Sequence, residues 1–301
     1  MQITVILPTY NRPASLEQCV QRLCSQSLSP DRFEIVVVDD GSRVPAEDVL
    51  ADVLEKTDVS LRVIRQANQG PAMARNRGAL EAGGRYLAFT DDDCLPDRAW
   101  LEDLLVAADQ HPGALLSGSV WNGIQNDSLA ETSHLILEMV YEHCNRDPRQ
   151  ATFMASSNWC CSREDFLQVG GLDGTFSFPG GEDRDFCDRW IRSGRSIVVL
   201  GSAKVEHRHG HTLRSFLAMY YRYGVGARIY HRKKKLRDEA KQRVLFPFYL
   251  RMLKQLPGRL CRYPSWWKRC KIAGALCLWQ VANACGFLKE TISASGNTSG
   301  G

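Results

Sequence analysis

Tyr86-Leu87-Ala88-Phe89-Thr90-Asp91-Asp92-Asp93 is the stretch that decides how this chain reads. Five residues suited to a buried strand run straight into three carboxylates. Adjacent negative charges repel one another, and a strand end gives them little room to separate. Two arrangements tolerate such a triplet: full solvation, as an acidic turn capping the next helix, or neutralisation by a cation. Hard divalent ions such as Mg²⁺ and Mn²⁺ take carboxylate oxygens of this kind and share them with phosphates. The triplet by itself leaves both open.

Outward from it, the first half of the chain alternates two patterns. Short apolar runs predict strands at Ile3–Leu7, Glu34–Val38, Leu61–Arg65 and Tyr86–Thr90. Helical stretches lie between them near Pro13–Ser25, Ala46–Lys56 and Pro71–Ala82. Strands separated by single helices predict an α/β fold with a mostly parallel, Rossmann-like sheet covered on both faces. In such sheets ligands bind beyond the carboxyl ends of the strands. Polar residues gather there: Pro8-Thr9-Tyr10-Asn11, Asp39-Asp40-Gly41-Ser42 and the triplet. That convergence favours a ligand site over a lone acidic turn. The first strand–helix turn, Leu7 to Arg12, contains no glycine, which argues against a dinucleotide fingerprint, and no phosphate-binding P-loop is present.

Further strands are expected in Ala114–Val120 and Ser196–Val205, with a helix around Ser128–His143 between them. A glycine-punctuated loop, Val169-Gly170-Gly171-Leu172-Asp173-Gly174, follows. Pro179-Gly180-Gly181 then leads into a helix opening Glu182-Asp183-Arg184-Asp185. From about His211 to Lys289 the pattern is helical, and the Gly/Ser-rich tail from Ser293 is expected to be disordered. The 301 residues, 44% hydrophobic and 24% charged, allow one large domain with an appendage, or two domains. Residues 1–203 carry 18 Lys+Arg against 30 Asp+Glu, whereas residues 204–301 carry 20 against 4. An acidic body with a basic C-terminal part points to a polyanionic surface at that end. The N-terminal run has no basic flank or long apolar core, so no secretion signal is expected. The 11 cysteines lack metal-type spacing and are read as free thiols of a reducing cytosol.

At this point the residues resemble a known family, the inverting family 2 glycosyltransferases with the GT-A fold. The matching pieces run in order: Val5–Arg12, Val36–Ser42, Asn68–Asn76, Asp91–Asp93, Gly170–Asp173, Glu182–Asp185 and Val205-Glu206-His207. The resemblance covers about residues 2–226. It implies a catalytic domain over 1–226, with a donor half about 1–113 and an acceptor half about 114–226. A basic, aromatic helical extension over 227–290 and a disordered tail over 291–301 would follow. It implies a nucleotide-sugar donor contacted by Pro8, Thr9, Asn11, Asp39, Arg75, Asp91 and Asp92. Asp91 would lie towards the ribose or metal-bound water, and one of Asp39 and Asp40 would be a turn cap, with Asp39 favoured as the ligand. Asp93 and His207 would hold Mn²⁺ or Mg²⁺, although His207, His209 and His211 also read as a solvated loop. Gly171 and Glu182 fall on the acceptor side. Asp183 stands where the family carries its catalytic base.

Arg189-Trp190 lacks the preceding Gln and the spacing of a processive synthase motif, so transfer of a single sugar is expected. The acceptor would be a saccharide or a lipid-linked one, in cell-surface polysaccharide or glycolipid biosynthesis. Basic residues interleaved with Phe246, Phe248, Trp266 and Trp267 suit helices lying on an anionic membrane, at the cytoplasmic inner face of the cell membrane. The apolar run Ile272–Leu288 is short of the ~20 residues a bilayer span needs. Nothing resembles a nucleic-acid recognition module. Two rivals remain: a non-catalytic sugar- or membrane-binding protein on the same fold, and a sugar-phosphate nucleotidyltransferase, which would need a Gly-rich first loop.

Overall fold

Ile3–Thr9 and Phe33–Asp39 are buried at every position, the mark of strands covered on both faces. The computed structural model describes residues 1–176, 178–237 and 246–296. Its strands are β1 (Ile3–Thr9), β2 (Phe33–Asp39), β3 (Ser60–Arg65), β4 (Tyr86–Thr90), β5 (Cys94–Pro96), β6 (Leu115–Ser117), β7 (Val120–Asn122), β8 (Asn158–Ser162), β9 (Ile197–Val199) and β10 (Val205–His207). Its α-helices are α1 (Pro13–Cys24), α2 (Ala46–Val49), α3 (Ala51–Lys56), α4 (Pro71–Glu81), α5 (Trp100–Gln110), α6 (Ser128–Cys144), α7 (Arg163–Gln168), α8 (Glu182–Arg192), α9 (Leu213–Arg237), α10 (Phe246–Leu260) and α11 (Trp266–Gly296).

The main sheet has the order β3-β2-β1-β4-β8-β6-β9, and a small sheet has the order β5-β10-β7. The main sheet is parallel except at β8, which runs antiparallel to both β4 and β6. This is the mostly parallel α/β architecture expected, with one reversed strand. The adjacent Cys160-Cys161 lie on that strand, on opposite faces and both buried. All eleven cysteines are free thiols. Pro8 lies inside β1 rather than ending it. The ladder to β4 stops at Ile6 while that to β2 continues to Thr9, and a strand paired on one side alone tolerates a missing N–H.

Three expected elements divide. Ala46–Lys56 breaks at Leu50 into α2 and α3. Ala114–Val120 becomes β6 and β7, and Ser196–Val205 becomes β9 and β10. In the two strand regions the chain leaves the large sheet and joins the small one. Helix α5, unmarked in the sequence reading, buries Trp100, Leu101 and Leu104 against the core that includes β1, β2 and α1.

The chain forms two compact units. The first comprises Met1–Gly123, Asn145–Ser177 and Glu182–Arg208, and holds both sheets. The second comprises Ile124–Cys144, Phe178–Gly181 and the chain from His209. In the second, α6, α9 and α11 share a core of Leu135, Ile136, Met139, Phe216, Tyr220, Ile272, Leu276 and Trp279. Helix α9 runs unbroken through residue 226, where a domain boundary was expected. Its Gly224 lets α11 approach: a Cβ there would stand 2.0 Å from the carbonyl oxygen of Asn283. Buried Arg259 of α10 pairs with Glu138 and Glu142 of α6. Helix α11 continues to Gly296, past Ser293 where the tail was expected to begin. Residues 297–301, residues 238–245 of the basic run and the side chains of Phe246 and Phe248 lie outside those described.

Candidate active site

The acidic triplet follows β4 and is met by two guanidinium groups and an imidazole. Arg12, just beyond β1, places one guanidinium nitrogen 3.1 Å from Asp92 and 2.6 Å from Asp93. Arg75, on α4, pairs with Asp91. His207 lies 3.3 Å from Asp93, because β10 pairs with β5 and sets His207 opposite Cys94. Asp92 also accepts a 2.8 Å bond from the Thr9 hydroxyl. Burial pushes the Asp92 carboxyl up to about 7, against the pull of Arg12. For His207 burial lowers the pKa, but Asp93 more than reverses this and leaves it raised.

Asp39 and Asp40 both act as fasteners. Asp39 is fully buried and accepts from the backbone N–H groups of Ser42 and Ala46, at 2.8 and 3.1 Å. It therefore shapes the loop into α2: Asp39, favoured in the sequence reading as the donor ligand, is engaged as a turn cap instead. Asp40 accepts from Gln66, Gln69 and Gly70 at 2.8–2.9 Å. It thereby fixes the entry to α4, and with it Arg75. Asn11 holds the left-handed conformation (φ 55°) and bonds Ser42 and Arg43. Thr9, Asn11, Arg12, Pro13, Ser42, Arg43 and Val44 line an open cleft of about 420 Å³. Pro8, inside β1, is buried one residue before this wall.

Glu182 and Asp183 open α8. Glu182 is buried and Asp183 half-buried. Asp183 accepts a 2.7 Å bond from the N–H of Arg184. It has no ion-pair partner among the described residues, and burial raises its pKa above the ordinary carboxylate range. The charges of Asp91, Glu182 and Asp183 hold Arg75 above its ordinary value although burial works the other way. Arg75 is 4% exposed, and its Nε and Nη1 have no hydrogen-bond partner among the described residues. Two N–H-bearing atoms left dry in this way are costly unless a ligand accepts from them.

An aromatic stack sets α8 against the sheet. Phe89 of β4 lies 5.1 Å from Phe166, which lies 5.2 Å from Phe186, which in turn lies 5.3 Å from Trp159 of β8. Trp190 is buried in the same stack and donates to the carbonyl of Ser196. Arg189 is engaged within the protein. It pairs with buried Asp185 at 2.8 Å and donates to the carbonyls of Val169 and Gly171. The same loop is gripped from α4: Asn76 both donates to the carbonyl of Leu172 and accepts from its N–H, at 2.7 and 2.8 Å. Gly171 is thus held between the helices carrying Arg75 and Asp183. Its φ is +62°, and a Cβ would stand 2.6 Å from the Asn76 oxygen.

Asp93, Cys94 and His207 each offer a ligand atom, all within 4.8 Å of one another. A carboxylate beside an imidazole fits a divalent ion. Cys94 is a poor third ligand, since burial raises its thiol pKa well above the usual value. Sequence reasoning missed Arg12, Asn76 and Arg189 as parts of this site. The signal for Arg12 was available: three adjacent carboxylates call for a cation, and Arg12 follows the neighbouring strand end. Asn76 and Arg189 carried none, because their partners are backbone atoms remote in the chain.

Residues 4–170 match the sequence model described as Glycosyl transferase family 2, and residues 136–212 match the one described as N-terminal domain of galactosyltransferase. A pre-mycofactocin glycosyltransferase of Mycobacterium tuberculosis is 29% identical over 230 residues, covering 75% of this chain and 46% of that protein. The chain spans about half the length of such relatives, or less. The mannosyltransferase PcManGT from Pyrobaculum calidifontis, solved with GDP-Man and Mn²⁺, has a TM-score of 0.64 at 19% identity, covering 99% of this chain and 79% of its own. Residues 1–349 of TarS from S. aureus, solved with UDP, have a TM-score of 0.54 at 18% identity, covering 94% and 81%. These likenesses establish the fold as GT-A.

Proposed function

We propose that this chain, which belongs to glycosyl transferase family 2, is an inverting, metal-dependent transferase. It moves one sugar from a nucleotide-diphosphate sugar, a UDP-sugar foremost, to a saccharide or lipid-linked acceptor. The observation that carries this reading is a contrast between carboxylates. Asp91–Asp93 are met by Arg75, Arg12 and His207, whereas Asp183 forms no salt bridge among the described residues and has a pKa that burial raises against the pull of Arg184 and Arg75. Both groups bear on the buried Arg75. One set is built for a cation and a diphosphate, the other for a proton.

Asp183 takes the proton of the acceptor hydroxyl as that oxygen bonds to the anomeric carbon. The bond from that carbon to the diphosphate oxygen breaks on the opposite face, which inverts the configuration. Such base assistance contributes about 10²–10⁴-fold. Arg75 and Arg12 bear positive charge towards the departing diphosphate. Asp93 and His207 would hold Mn²⁺ or Mg²⁺, which when bound supplies further positive charge to that leaving group. Thr9, Asn11 and the loop fastened by Asp39 receive the nucleoside, and the Gly171 loop with Glu182 borders the acceptor. The acceptor would be met at the inner face of the cell membrane, in polysaccharide or glycolipid assembly.

Asp183→Asn tests the reading. Donor and Mn²⁺ binding, followed by calorimetry, should persist while transfer falls by at least 10²-fold. Unchanged turnover would overturn the base assignment. Failure of the unaltered protein to hydrolyse any nucleotide sugar in a broad panel would favour a non-catalytic binding role.

A further inference from the structure

Helix α11 turns one face to its core and the other to solvent. Ile272, Ala275, Leu276, Trp279 and Ala282 are buried with α6 and α9. The outward face is unusual for solvent. Trp267, Lys271, Gly274, Leu278, Val281, Cys285 and Leu288 follow at alternating steps of four and three, and all are exposed. Only Lys271 among them is charged. Trp267 is 75% and Val281 61% exposed. At 1.5 Å per residue the stripe is about 30 Å long. Helix α10 has a similar face, with exposed Leu250, Leu253 and Pro257 beside Lys254.

By length and composition Trp266–Glu290 would also qualify as a span, with a mean hydropathy of 1.2. Its packing argues against that. Helix α9 lies parallel to it, with Tyr220 against Trp279, Gly224 against Asn283 and Arg232 paired with Glu290. A spanning α11 would draw Arg222, Arg228 and Arg232 of α9 into hydrocarbon, an outcome heavily disfavoured for each arginine. A helix lying flat keeps α9 on the water side.

We infer that the outward stripes of α10 and α11 form a docking surface for an anionic phospholipid bilayer, with both helices lying in the plane of the interface. This rests on the reading above for the acceptor it would reach, though not for the surface itself. Charge chooses the occupant. Arg251, Lys254 and Lys271 have no carboxylate partner among the described residues. Residues 246–290 carry eight Lys+Arg against one Glu; Arg259, Arg262 and Lys268 pair with Glu131, Glu138 and Glu142 of α6, which leaves Arg251, Lys254, Arg269, Lys271 and Lys289 for an outside partner. A second copy on this seam would set Lys271 and its neighbours against their own like charges, whereas an anionic leaflet attracts every one of them. Trp266 and Trp267 at one end suit the headgroup boundary.

Flotation of the full chain with vesicles tests this. Phosphatidylcholine vesicles containing one third phosphatidylglycerol should carry the protein, and pure phosphatidylcholine should carry far less. Val281→Glu, at an exposed site, should lower binding at least tenfold with unchanged circular dichroism. Lys271→Glu should lower it roughly tenfold or more on anionic vesicles alone. Failure to float with anionic vesicles, or equal binding by Val281→Glu, overturns the inference. A dimer in sedimentation velocity that Val281→Glu dissociates, without vesicle binding by the parent, also overturns it and assigns the face to a second copy. Nucleotide-sugar hydrolysis is measured alongside. Its loss in the parent with flotation intact would count against the catalytic reading and leave the docking surface standing.

Discussion

Asp183 and Arg12 bear on the stability of the fold in opposite senses. Burial raises the Asp183 pKa, so its ionised form is disfavoured in the folded state. The penalty is absent below the ordinary carboxylate pKa and grows as pH rises through the raised value. Asp183→Asn should therefore raise Tm at neutral pH, and the gain should vanish on acidification below the usual carboxylate range. In the unaltered enzyme the acid limb of kcat/KM should lie above that range, since the base must be ionised to act. Arg12 works in the opposite sense, as a cation that lets Asp92 and Asp93 lie together. Arg12→Gln should cost about 1 kcal/mol without metal, a modest figure because the guanidinium is partly exposed. Mn²⁺ should stabilise the variant at least as much as the parent, because the ion takes over the contact with Asp93. A thermal-shift series with and without Mn²⁺ reads this, and loss of the Mn²⁺ response in the variant would sink the metal assignment.

At the scale of elements, the site is a set of helix starts and strand ends held by backbone hydrogen bonds. Asp40 fixes the start of α4 and Asn76 extends from that helix to Leu172. Arg189 reaches from α8 to Gly171. The loop 169–172 thus joins the elements bearing Arg75 and Asp183, and a shift of either should disturb both. Gly170 and Gly171 separate strain from contact, because both have positive φ but only Gly171 is crowded. Gly171→Ala should lower kcat/KM at least tenfold, as a misplacement of about 1 Å costs roughly 10². Gly170→Ala has open space around its Cβ and should act mainly on stability, by about 1–2 kcal/mol. Equal kinetic losses in both variants would show that the Asn76 contact does not matter.

For the molecule as a whole, the C-terminal helices are not a detachable appendage. Ile272, Leu276 and Trp279 of α11 complete the core that Leu135 and Met139 of α6 share with Phe216 and Tyr220 of α9. Truncation after Ala227 would leave that core open, at about 1.5–3 kcal/mol for each large side chain re-exposed. Such a protein should be recovered in inclusion bodies or as aggregates, seen by size exclusion. A soluble, monomeric truncation would show that the second unit needs only its first helices. Surface substitutions, not deletions, are therefore the way to separate membrane attachment from folding.

The strands β1, β2 and β4 were legible in the sequence because strands buried on both faces read as unbroken apolar runs. The polar residues at their ends marked the candidate site, since ligands in such sheets bind beyond the carboxyl ends of the strands. Seven motifs in order carried the family, and with it the GT-A fold. Other features belonged to the tertiary structure. Strand β8 lies reversed between β4 and β6, and its short Asn158–Ser162 run says nothing of direction. His207 reaches Asp93 only because β10 pairs with β5. The sequence read Asp39 and Asp40 as one ligand and one cap, whereas both accept from backbone N–H groups that lie up to thirty residues away. Local pattern determines which segments are strands and helices and which ends are polar. Which charge meets which partner depends on contacts across long loops, and only the folded chain decides them.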